Sequence, residues 1–202
     1  MLDGYVRPWI DPPLNRLAAG IARRGISANA VTIAGFGVGL AAMAAITWQQ
    51  YTAGLVLIAL NRLMDGLDGA VARQTRTTDL GGFLDIVVDF IFYSGVVFAF
   101  ALAEPERALA AAFLIFSYIG TGSSFLAYAI VAAKRGVNTE QQGKKAFYYM
   151  KGITEGTETI LAMVLMCLLP GLFTEIAIAF GCLCWLTTAG RVGQGFRDFR
   201  SL

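Results

Sequence analysis

Residues 28 to 48 read Ala28-Asn-Ala-Val-Thr-Ile-Ala-Gly-Phe-Gly-Val-Gly-Leu-Ala-Ala-Met-Ala-Ala-Ile-Thr-Trp48, with no charged side chain. A helix needs about 20 predominantly apolar residues to cross a bilayer core, and this stretch is long enough. A second run, from Ala108 to Ala133, has the same character. Working outward, apolar segments recur at residues 28–49, 53–72, 81–103, 108–133, 152–169 and 172–190. Polar breaks separate them at Gln49-Gln50, at Glu104-Pro105-Glu106-Arg107 and at Pro170-Gly171, and the most polar stretch runs from Lys134 to Lys151. Of the 202 residues, 56% are hydrophobic and only 15% charged, where a soluble domain carries about 25% charge. The expected fold is an all-α integral membrane protein of about six transmembrane helices, built as one membrane domain over residues 1–202.

Residues 1–26 are expected to form a juxtamembrane helix ahead of a transmembrane bundle at 27–202. The first 24 residues hold Arg7, Asp11, Pro12, Pro13, Arg16, Arg23 and Arg24, too polar for a signal core. Leu14, Leu17, Ala18, Ile21 and Ala22 share one helical face, the pattern of an amphipathic helix lying on a membrane surface. With both termini on the cytoplasmic side, every Lys and Arg except Arg62 and Arg107 falls on inner-facing segments, as the positive-inside rule requires. Such a basic face meets anionic lipid headgroups and an anionic small substrate, so the net charge of +2 gives no reason to expect a nucleic-acid partner.

The chain has no histidine. Ser-His-Asp triads, His-ligated zinc and a histidine base are therefore excluded. Cys167, Cys182 and Cys184 lie in apolar runs without ligand spacing and read as packing residues. Ionisable groups within a membrane segment are costly and mark function. Asp65 and Asp68 lie near the inner end of the second span, and Asp85 and Asp89 near the inner end of the third. At i, i+3 and i, i+4 spacing each pair occupies one face of its helix. The spans are expected to be antiparallel neighbours, with the pairs facing each other. Four carboxylates brought together need cations, and hard oxygen donors favour Mg²⁺ or Mn²⁺. Pairing with Arg62, Arg73 and Arg76 as structural salt bridges is the plainer alternative. A divalent-cation transporter is another, but it needs acidic residues through the full membrane depth.

Asp65-Gly66-Leu67-Asp68-Gly69-Ala70-Val71-Ala72-Arg73, followed by Gly81-Gly82-Phe83-Leu84-Asp85-Ile86-Val87-Val88-Asp89, resembles the signature of the CDP-alcohol phosphatidyltransferase family. The whole chain is similar to a bacterial inner-membrane branch of that family. The loop between Arg73 and Gly81 is shorter than the signature's, which bears on Thr77 and Thr78. The resemblance implies metal-dependent transfer of a phosphatidyl group from CDP-diacylglycerol to a small polar alcohol, with release of CMP. It also implies a homodimer and an amino-alcohol or inositol-type variant as alternatives for the acceptor. Asp65, Asp68, Asp85 and Asp89 would hold two divalent cations, and Asp89 would be the base. Asn29, Thr32, Gly69, Ala72, Arg73, Thr78 and Gly81 would meet the nucleotide. Gly69 and Ala72 also read as close helix packing by small residues, and Ser27 or Asn29 as an N-cap.

Acceptor choice is expected around Glu155 and Glu158 at the inner end of the fifth span. Bacterial phosphatidylinositol-phosphate synthases carry a similar stretch with arginines where Gly156 and Thr159 stand here. Lys144, Lys145, Lys151 and Arg191 are candidates for a phosphate on the acceptor. Phe147, Tyr148 and Tyr149 with the two glutamates would suit an ammonium group. Pairing of Glu155 and Glu158 with Lys151 and Arg191, under an interfacial aromatic belt, stays open beside these.

Overall fold

The computed structural model describes residues 3–136 and 152–200, and regular structure among them is entirely helical. Seven α-helices follow in order: α1 Asp3–Arg23, α2 Ala28–Thr47, α3 Tyr51–Gln74, α4 Asp79–Ala103, α5 Ala108–Lys134, α6 Gly156–Leu168 and α7 Phe173–Phe199. One-turn helices at Pro105–Arg107 and Pro170–Leu172 lead into α5 and α7. By length and composition four elements can cross a membrane: α2, α4, and α5 and α7 with their leading turns. Helix α3 has 24 residues but carries Arg62 at its middle and Asp65, Asp68 and Arg73 in its second half. Helix α6 has 13 residues, about 20 Å of helix. It starts later than residue 152 because Glu155 is extended, at φ −126° and ψ −167°, and caps it.

Helix α2 makes its broadest contact with α3 and also packs along α4, while α5 packs on α7 and α4, and α3 meets α6. The expectation that α3 and α4 face each other is met through side chains: Arg62 of α3 reaches Asp89 of α4, and Tyr51 of α3 stacks on Phe100 of α4. Their backbones stay apart, and α2 packs against both. The cause is a run of small residues on α2. A Cβ at Gly39 would lie 2.8 Å from the Phe92 ring of α4 and 3.1 Å from the Asn61 amide of α3. One turn earlier, a Cβ at Gly35 would lie 3.2 Å from Met64 Cβ, and the Gly35 carbonyl accepts from Asn61 Nδ2 at 2.8 Å. Lipid tails are as apolar as a leucine core, so helices in a membrane associate by such close packing and by buried hydrogen bonds.

The main core joins Ile46 and Ile58 to Phe92, Phe100, Met163 and Phe173. A second, smaller cluster holds the N-terminal helix: Leu14 and Ala18 of α1 are buried against Ala70 and Val71 of α3. Gln74 Nε2 donates to the Asn15 carbonyl at 2.8 Å and closes that junction. Ile10 and Leu17 remain exposed, so α1 turns one strip to α3 and another outward, as an amphipathic surface helix does.

Candidate active site

Helices α2 and α4 both begin at one cavity. Ser27 caps α2 by accepting from Ala30 N at 3.2 Å, which leaves the neighbouring Asn29 on the cavity wall. Thr78 caps α4 by accepting from Gly81 N at 3.0 Å. Gly81 must be small: a Cβ there would lie 3.1 Å from both Asn29 Oδ1 and Thr78 Oγ1. The cavity holds about 270 Å³ and is lined by Asn29 and Thr32 of α2, Asp68, Gly69, Ala72 and Arg73 of α3, and Gly81, Gly82 and Asp85 of α4, with Arg76, Thr77 and Thr78 from the connecting loop. Every residue expected from the sequence to meet the nucleotide therefore lines a single cavity. The N-terminal ends of α2 and α4, the positive ends of their helix dipoles, border it, which favours an anion. Arg73 and Arg76 place positive charge on one wall, and Asp68 and Asp85 place negative charge on another.

The four aspartates are held differently. Asp68 is buried, with 6% of its surface exposed, and its Oδ2 accepts from the Thr32 hydroxyl at 2.6 Å. Thr32 thus anchors a carboxylate as well as lining the cavity. Asp85 is exposed. Asp89 Oδ1 accepts from Arg62 Nη1 at 2.9 Å, and Asp65 Oδ2 lies 3.6 Å from the same nitrogen. Tyr93 donates its hydroxyl to Asp89 Oδ2 at 3.3 Å. Asp65 lies within electrostatic reach of the other three. The salt-bridge alternative is thus realised at Arg62, while Arg73 and Arg76 stand on the cavity wall.

With two aspartates drawn to Arg62 and a third to Thr32, no three acidic or sulfur side chains among the described residues form a ready metal cage. The donor set nevertheless fits Mg²⁺ or Mn²⁺. Four carboxylates supply hard oxygens only, and their excess of negative charge over Arg62 calls for further cations. Sequence reasoning noticed Arg62 but not its partners Asn61 and Tyr93. The signal was a polar Asn-Arg pair inside an apolar run. Gly66 also has a local reason: a Cβ there would lie 3.0 Å from Leu14 Cδ1 of α1.

Glu155 and Glu158 form a reciprocal capping box at the start of α6, with Glu155 N donating to Glu158 Oε2 at 3.1 Å. Thr154 ties this segment to α7 through Thr187 Oγ1 at 2.9 Å. Arg191 Nη1 donates to the Thr121 carbonyl at 3.0 Å, and its guanidinium lies 5.5 Å from the centre of the Phe125 ring. Lys144, Lys145, Lys151 and the aromatic run Phe147 to Tyr149 lie outside the described residues.

Comparison with known proteins converges on one assignment. The CDP-alcohol phosphatidyltransferase family model matches residues 26–189. Inner membrane protein YnjF of Escherichia coli (strain K12) is 49% identical over 203 residues, 100% of this chain and 98% of that protein. Archaetidylinositol phosphate synthase of Pyrococcus horikoshii is 35% identical over 103 residues, 50% of this chain and 55% of the relative. Phosphatidylcholine synthase of Mesorhizobium japonicum is 24% identical over 163 residues, 77% of this chain and 55% of the relative. With a family model across most of its length and a full-length relative at near half identity, the chain belongs to the CDP-alcohol phosphatidyltransferase family of enzymes.

Proposed function

We propose that this protein transfers a phosphatidyl group from CDP-diacylglycerol to a small polar alcohol and releases CMP, at a multi-pass inner-membrane site that opens to the cytoplasm. The observation that carries this reading is the cavity at the starts of α2 and α4, with arginines on one wall and carboxylates on another. The diphosphate binds to Arg73 and Arg76 by charge-assisted hydrogen bonds and to the amides of the two helix N-termini. Gly69 and Ala72 leave the intervening face of α3 without bulk, and the cytidine lies against it.

Asp89 takes the proton of the acceptor hydroxyl. The hydroxyl oxygen forms a bond to the β-phosphorus, and the bond from that phosphorus to the bridging oxygen breaks. The electron pair leaves with CMP. Asp65, Asp68, Asp85 and Asp89 are the residues to hold two divalent cations, which when bound neutralise charge on the diphosphate and its leaving oxygen. Acceptor choice falls to the α6–α7 side, where Arg191 and the Glu155–Glu158 cap meet, with Lys144, Lys145 and Lys151 nearby in sequence. Similarity to an archaetidylinositol phosphate synthase and to a phosphatidylcholine synthase supports testing both anionic and ammonium acceptors.

The test is incubation of purified protein with labelled CDP-diacylglycerol and Mn²⁺ or Mg²⁺. The acceptor panel is glycerol phosphate, inositol phosphate, inositol, serine, choline and ethanolamine. One acceptor is expected to yield a labelled lipid and stoichiometric CMP. Metal-dependent CDP binding without CMP release for any acceptor would sink the transfer reading.

A further inference from the structure

Arg62 is almost enclosed, with 11% of its side chain exposed, and is held from several sides. Asn61 Oδ1 accepts from its Nε at 2.8 Å and from its Nη2 at 2.6 Å. Asn61 is in turn fixed by donating to the Gly35 carbonyl at 2.8 Å. The guanidinium carbon sits 4.5 Å from the centre of the Phe92 ring and 5.1 Å from that of Tyr93. What remains of the guanidinium, Nη1, faces Asp89 Oδ1 at 2.9 Å, Tyr93 Oη at 3.0 Å and Asp65 Oδ2 at 3.6 Å. The group is therefore set in place before any ligand arrives, and it points into one arm of the aspartate quartet. The other arm differs. Asp68 has a single hydroxyl on Oδ2, and Asp85 is exposed.

We propose that Arg62 is an internal cation that occupies the Asp65–Asp89 arm and sets how tightly that arm takes a divalent ion. The inference rests on the metal-dependent reading above. Both oxygens of Asp89 already carry a donor, Arg62 on Oδ1 and Tyr93 on Oδ2. An ion reaching Asp89 must share or displace them, and it meets a fixed positive charge at short range in a poorly screened site. Among the described residues no cationic side chain is ion-paired with Asp68 or Asp85, and the hydroxyl that donates to Asp68 is neutral, so the two ions bind with unequal affinity. Arg62 also keeps Asp65 and Asp89 from standing as unpaired buried charges while the ion is absent, a state that is strongly destabilising. Arg62 is thus a positioning residue, acting through Asp65 and Asp89.

The experiment titrates the purified full chain in lipid nanodiscs with Mn²⁺, following free ion by electron paramagnetic resonance. Wild type, Arg62→Gln and Arg62→Lys are compared. Wild type is expected to show a tight and a weak class of site. In Arg62→Gln the weak class should tighten by about tenfold or more, within the usual range of coupling between ligands. In Arg62→Lys, which keeps the charge, it should stay near wild type. Thermal melting supplies an independent reading: Arg62→Gln should melt lower without Mn²⁺ and gain more from its addition. A weak class unchanged or lost in folded Arg62→Gln, or equal tightening in Arg62→Lys, overturns the proposal and leaves the quartet as the metal site. Wild type that binds no Mn²⁺ overturns both. Should Arg62→Gln fail to fold, Arg62→Met keeps the stem beneath Phe92 and carries the same expectation and the same refutation.

Discussion

Two arginines, Arg107 in the turn after α4 and Arg62 midway along α3, are buried to the same degree and do different things. Arg107 has 10% of its side chain exposed and Arg62 has 11%. Both lie against aromatic rings: Arg107 has Tyr51, Phe100 and Phe173 within 6 Å of its guanidinium carbon. Arg107 donates to Glu104 at 2.8 Å and to the Tyr51 hydroxyl at 3.1 Å. One positive charge meets one negative charge, and Phe100 stacks on Tyr51 and Phe173 around them. That end is electrically closed and serves to lock α3, α4 and the turn before α5. Midway along α3 the other arginine faces a quartet of aspartates beside a cavity. Burial of an arginine therefore does not mark function here; the imbalance of charge around it does.

The comparison breaks first at Asp89. Asp89→Asn should lower turnover by about a thousandfold or more, through loss of a base and a metal ligand. Binding of CDP should remain measurable by thermal shift; full turnover in this variant would remove the base assignment. Arg107→Met tests the closed end. It should cost about 1–3 kcal/mol of stability, because buried hydrogen bonds to a charged group are lost, with Mn²⁺ affinity unchanged. A change in metal affinity would show that the two arginines are coupled. Arg73→Lys replaces a planar two-pronged donor with a point charge. It should raise KM for CDP-diacylglycerol by about tenfold, with a smaller effect on kcat. Glu158→Gln is the mildest, since glutamine also closes a capping box. Stability should hold within about 0.5 kcal/mol, while KM for the acceptor rises. An unchanged KM for every acceptor would confine both glutamates to capping.

Much of this was legible in the sequence, for reasons that differ by region. Helices α2, α4 and α5 announce themselves because a bilayer imposes a minimum apolar length, and their ends coincide with polar breaks. The residues proposed to face the nucleotide were legible because Gly69, Ala72, Arg73 and Gly81 recur in a known spacing, and they line one cavity. The facing of α3 and α4 was legible from their aspartate pairs, but not that α2 packs against both. Gly35 and Gly39, one helical turn apart on α2, were the signal of that third helix. The glutamate pair of α6 is ambiguous in another way. A carboxylate pair at i, i+3 looks the same whether it serves a ligand or a helix start, and Glu is an uncommon N-cap, which hid the cap. Pairing of Arg62 with the aspartates was among the readings the sequence offered, whereas its contacts with Phe92 and Tyr93 were beyond reach, because they join α3 to particular residues of α4.

Gly39 has a consequence for ion choice. With no side chain of its own, it lets α2 close against Phe92 of α4 and Asn61 of α3 together, and so bears on the gap between the aspartates of those helices. Mg²⁺ and Ca²⁺ differ by about 0.3–0.5 Å in their preferred distance to oxygen. A single methyl at Gly39, 2.8 Å from the Phe92 ring, must push one of these neighbours aside. On the metal-dependent reading proposed above, an absent side chain in the middle of α2 then bears on which ion the aspartates accept. A shift of activation from Mg²⁺ toward larger ions in Gly39→Ala is the measurement that reads that gap.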